Sequence, residues 1–160
     1  MLVPASGGPL MRRDLTRSPL IVVAALLLAG CVPQSPDQDT FRDRSELAIE
    51  QTVSAVESTL LVLRLLMRED MLTNYAEIAV HDAQDSLSAA SGGYDALNPP
   101  RQLDQLYSST STLMSDASSA VTDTRIAVSR DSAGDFAKLE KQLSKLAKDL
   151  HRKLEEVRAR

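Results

Sequence analysis

From Ile49 to Val157 the apolar side chains recur at intervals of three and four residues, a pattern that confines the chain to helices packed on helices. The first run, Ile49, Val53, Val56, Leu60, Leu63 and Met67, is spaced 4, 3, 4, 3, 4 and forms a single seam. A second run follows through Leu72, Ala76, Ala79, Ala83, Leu87 and Ala90. Asn74 with Glu77 three residues later has the pattern of a capping box, which predicts a start near Asn74. Gly92-Gly93 predicts the stop, and a loop through Tyr94, Leu97 and Asn98-Pro99-Pro100 comes next. The third run, Leu103, Leu106, Thr110, Leu113, Ala117, Ala120, Thr124 and Ala127, begins beside Pro100, a favoured place for proline. After a short turn over Asp131 to Gly134, the fourth carries Phe136, Leu139, Leu143, Leu146, Leu150, Leu154 and Val157. Short connections between four amphipathic runs predict an all-α, up-down antiparallel bundle of four helices over residues 40–160. One boundary stays open. Arg68 to Thr73 contains no Gly or Pro, so the first two runs could also form one helix of about 50 residues, about 75 Å long.

Composition agrees with this class. Aromatic residues make up only 3% of the chain and Trp is absent, so the core must be aliphatic and rich in alanine. A β-sandwich would lean on aromatic and β-branched pairs that are scarce here.

Ahead of the bundle lies a different kind of segment. Met11 to Arg17 holds three arginines, and Leu20 to Ala29 is an unbroken apolar run of ten residues. Ten is right for the core of an export signal and too short to span a bilayer, which takes about 20. The run ends in Leu28-Ala29-Gly30-Cys31. These positions resemble the lipobox of bacterial lipoproteins, and with the basic stretch they identify residues 1–30 as a signal peptide, with Met11 read as the initiator. The resemblance implies cleavage between Gly30 and Cys31 and a diacylglycerol thioether on Cys31, the chain's one cysteine. Two or more acyl chains anchor stably where one does not. The Arg12-Arg13 pair also resembles a twin-arginine signal, but Asp14 and Thr16 depart from that pattern and favour the general secretory route. Val32 to Asp39, with Pro33 and Pro36, shows no apolar period and is expected to be a flexible tether. The mature part has a general likeness to small helical lipoproteins of uncharacterised function, which carries no functional residues across.

Charge narrows the partners. Beyond residue 30 the chain holds 15 basic and 21 acidic residues, which argues against nucleic acid. All five lysines fall after Asp135, and Lys138, Lys141, Lys145, Lys148 and Arg152 repeat at 3, 4, 3, 4. That spacing predicts a basic stripe opposite the leucines, which is either a solvated face or a contact for an anionic surface. Glu77, His81 and Asp85 sit four apart, but by helical projection they point away from the core, whereas a metal site in a bundle needs inward ligands from several helices. His151 falls on the flank of its helix. No nucleophile stands with a plausible base, and no metal or cofactor is expected.

The densest apolar stretch is Leu60 to Met67. Leu60, Leu63 and Met67 continue the seam, yet Leu61 and Leu65 lie about 120–160° from it, with Val62 and Leu66 beyond, and an ordinary surface helix is polar there. Either the loop carrying Tyr94 and Leu97 folds over this side, or Leu61, Val62, Leu65 and Leu66 contact another chain. Two functions remain open on the sequence. One is a lipid-anchored, non-catalytic binding or scaffolding module on the outer face of the cell membrane, meeting a second copy or an envelope protein through a helix face. The other is a carrier or chaperone-like bundle with an apolar cavity of about 300 Å³ or more.

Overall fold

Asp37 starts the first helix. Its side chain accepts a hydrogen bond from the Thr40 amide at 2.7 Å, which satisfies one of the free N–H groups of the first turn. This is a computed structural model. It describes residues 36–159, so the signal segment, Gly30, Cys31 and residues 32–35 lie outside the described residues. Because the cap is Asp37, the expected tether is shorter than its sequence suggests, and Gln38 and Asp39 are already helical.

Four helices follow: α1 (Gln38–Met67), α2 (Thr73–Asp95), α3 (Asp104–Ser129) and α4 (Ala133–Arg158). A single 3₁₀ turn, Arg101–Leu103, leads from Pro100 into α3. Consecutive helices pack side by side, α4 closes back on α1, and α1 also touches α3 across the centre. This puts α2 and α4 at opposite corners. Side-chain pairs fix the up-down sense: Arg158 at the end of α4 meets Glu46 near the start of α1, and Arg64 at the end of α1 meets Glu140 near the start of α4.

The break between α1 and α2 excludes the continuous helix. The Asp70 amide donates to the Leu65 carbonyl at 2.9 Å and the Glu69 amide to Leu66 at 3.0 Å, with Glu69 in the left-handed region at φ 61°. This is the paired-bond helix ending that glycine usually serves. The same device ends α3, where Ser132 donates to Ala127, Asp131 donates to Val128, and Asp131 has φ 51°. That turn is therefore tighter than expected, and Ala133 and Gly134 belong to α4. Neither ending has a glycine at the strained position, which is why the sequence leaves the first boundary open.

Two further expectations fail at α2. Its cap is Leu72, with no side-chain bond, so Asn74 and Glu77 form no capping box. Gly92 and Gly93 do not stop it either. Tyr94 is buried, and its ring lies 5.3 Å from Tyr107 and 6.1 Å from Phe41. That anchorage carries the helix through two glycines, each costing about 1 kcal/mol relative to Ala. These three rings form a separate small core with Leu103 and Met114 at the end of the bundle where the described chain begins.

The main core is aliphatic, as composition predicts, and includes the inner residues of α4 from Phe136 to Val157. Leu72 is an exception, at 67% exposed. α1 buries more than its seam. A second row, Ser45, Ala48, Thr52, Ala55, Thr59 and Val62, is also buried. The Ser45, Thr52 and Thr59 hydroxyls donate to the carbonyls of Phe41, Ala48 and Ala55, each at 2.8 Å, so none enters the interior unpaired. The row stays hidden in the sequence because its hydroxyl residues count as polar.

Two substitutions test this local physics. Glu69→Gly should stabilise the monomer by about 1 kcal/mol by removing a side chain from the left-handed region. Gly92→Ala should stabilise by about 0.5–1 kcal/mol, since a methyl group there meets nothing within 4 Å. Thermal or urea unfolding would read both.

Candidate interaction surfaces

α1 meets its neighbours on two flanks of different chemistry. The flank towards α2 is the Ser/Thr/Ala row. The flank towards α4 is laced with ion pairs: Arg158 with Glu46 at 2.8 Å and with Glu50, His151 with Glu57 at 2.7 Å, and Arg64 with Glu140 at 2.9 Å. These pairs are exposed, so each adds little stability, but together they register the two helices along their length. His151 thus sits on a flank, as its projection predicts, and it has an acidic partner on α1.

The Leu60–Met67 stretch divides residue by residue. Leu60, Val62 and Leu63 are core, and Leu66 packs against the core from its edge. Val62 is therefore not a partner contact. It closes the second buried row of α1. Leu65 is half-buried, and Leu61 is 57% exposed. The loop does not fold over this side. Tyr94 packs with Phe41 and Ser45 at the far end of α1, and burial among them pushes its phenol above the ordinary range. Leu61 is left uncovered, and Met67 at the end of α1 and Leu72 ahead of α2 are also exposed. Tyr75 and Ile78, which the period of α2 does not single out, are 61% and 59% exposed.

The lysine row is where its spacing places it. Lys138, Lys141, Lys145 and Lys148 are exposed along the outside of α4 and form no ion pair among the described residues. Arg152 extends the row and is held by Asp149 at 2.8 Å. At the opposite corner, α2 carries Glu77, Asp82, Asp85 and Asp95 and no lysine or arginine. The bundle is thus polarised across its width, positive on α4 and negative on α2. His81 pairs with Asp85 at 3.3 Å on the exposed side of α2, and no cluster of three metal-ligating side chains occurs among the described residues.

The clefts are surface grooves between helix pairs. The one between α1 and α2 measures about 620 Å³ and is lined mainly by small side chains, Ser54, Ala55 and Ser58 facing Ala79, Ala83 and Ser86. No helix among the described residues is long and apolar enough to cross a membrane. No protein-family model, curated protein or solved structure matches the chain.

The division of the apolar stretch gives a direct contrast. Val62→Ala should cost about 2 kcal/mol of unfolding free energy. Leu61→Ala, one residue away, should stay within about 0.5 kcal/mol at concentrations where the protein is monomeric. Urea denaturation of the two variants measures the difference.

Proposed function

We propose that this protein is a lipoprotein held by lipid on Cys31 at the extracytoplasmic face of the cell membrane, where its helical bundle is a non-catalytic binding or scaffolding module. The observation that carries this reading is Leu28-Ala29-Gly30-Cys31 at the end of a ten-residue apolar run that follows a basic stretch. Cysteine is the one residue type whose thiol can be alkylated at that point, and this chain has a single one.

The bundle supports a binding role by what it leaves outside. Its large apolar side chains gather in the core, while an uncharged row on α1, single exposed apolar side chains such as Leu61 and Leu72, and a lysine row remain on the surface. The carrier alternative needs an enclosed apolar cavity, and the α1–α2 groove is open and lined by Ser and Asp as well as Ala. The lysine row adds attraction to anionic headgroups of about 1 kcal/mol per charge near the surface.

Fractionation of cells expressing the full chain tests the anchor. Wild-type protein is expected in the membrane fraction with a mass increase from acylation. Cys31→Ser is expected to accumulate unprocessed or to leave the membrane. A Cys31→Ser protein that is processed and membrane-bound like wild type would end the proposal.

A further inference from the structure

The outer face of α1 repeats the spacing of its inner one. Leu47, Gln51, Ser54, Ser58, Leu61 and Leu65 are spaced 4, 3, 4, 3, 4, the same interval pattern as the buried seam, rotated about 160° around the helix. The row contains no charge in a chain that is 25% charged. Its own bundle leaves most of it uncovered: Leu47 is 53% and Leu61 57% exposed, Gln51, Ser54 and Ser58 line the open groove beside α2, and Leu65 is half-buried.

We propose that this row is the contact of a homodimer, in which a second copy packs its α1 antiparallel against it about a two-fold axis passing near Val56. Reversing the row about that point sets Leu47 against Leu65 of the second copy, Gln51 against its Leu61, and Ser54 against its Ser58. Leucines meet at both ends and serines in the middle, where small side chains let the backbones come close. A surface that matches its own reversal is what an isologous contact requires.

Charge at the ends of the row selects the same arrangement. Asp43 and Arg44 precede it, Arg68 and Glu69 follow it, and none of the four forms an ion pair within the described residues. By helical projection Asp43 and the cap residue Arg68 lie on the flank nearer α4, and Arg44 on the flank nearer α2, while Glu69 lies past the helix end. Like flanks face each other in an antiparallel pair. The two-fold therefore brings Asp43 within one residue step, about 1.5 Å along the axis, of Arg68 of the second copy on the same flank, and this pair occurs twice. A parallel alignment in register would set each residue against its own like. The axis runs perpendicular to the plane of the paired α1 helices, with α2 and α4 on opposite sides of that plane. Both lysine rows then lie on one face of the dimer and both acidic α2 helices on the other.

This inference does not rest on the anchor at Cys31, and its test is separate. The full chain, purified in a mild detergent, is examined by density-matched sedimentation over a range of concentrations, with helicity followed by circular dichroism. Wild type is expected to dimerise, and Leu61→Asp, an exposed change that leaves the bundle intact, is expected to remain monomeric. Asp43→Arg should weaken the dimer by about tenfold, because it sets like charges together at two symmetry-related sites. Adding Arg68→Asp should restore most of that loss. A wild-type chain that stays monomeric at all concentrations, a Leu61→Asp protein that dimerises like wild type, or a charge exchange without rescue would each overturn the proposal.

Discussion

The bundle depends on how much of α1 it can bury. A helix with a single apolar seam serves one neighbour well, and α1 must serve α2, α4 and, across the centre, α3. It does so by adding a row of alanine, serine and threonine beside the seam. The hydroxyls bond back to carbonyls one turn earlier, so the row can enter the interior without unpaired polar groups. Small side chains at this flank bring α2 close, and the facing alanines of α2 answer them. The same choice fixes what is left over. Once two rows face inward and the third side is tied to α4 by ion pairs, only the strip from Leu47 to Leu65 remains outside.

The parts legible in the sequence are those where one residue type does one job. All but one of the buried positions of α4 are large apolar residues, Ala147 being the exception, and the helix lies where that period puts it. The lysine row is legible for the same reason. Legibility fails where a residue type has two uses. Ser45, Thr52 and Thr59 in α1 pass for solvent-facing and are core. Glu69 and Asp131 occupy a backbone region that glycine usually marks, so two helix ends lack their customary sign. Gly92 and Gly93 carry that sign where no end occurs, because Tyr94 beyond them is fixed by Phe41 and Tyr107. Asn74 and Glu77 spell a cap two residues too late. Among the interaction residues, Leu61 is readable from its angle alone. Val62 is not, since its burial depends on a row that only the packing reveals.

Polarity across the bundle follows from topology as much as from composition. Adjacent helices pair their polar groups locally: the acids of α1 neutralise Arg158 and hydrogen-bond His151 on the facing flank of α4. The outward lysines of α4 point away from α2, which holds acids and no basic residue but His81 and stands at the far corner. Asp123 and Asp116 of the neighbouring α3 border the grooves that Lys138 and Lys145 line. The bundle formed by the described residues thus presents a cationic row on α4, an acidic helix at α2 and an uncharged row on α1.

The central claim is that α1 hides two rows and offers a third. Hydroxyl-radical footprinting of the full chain, read residue by residue at low and at high protein concentration, tests it most directly. Leu47 and Leu61 should label strongly when dilute and lose labelling together on concentration, while Val62 and Leu63 stay unlabelled throughout. Labelling of Val62 equal to that of Leu61, or a Leu61 signal indifferent to concentration, would contradict it.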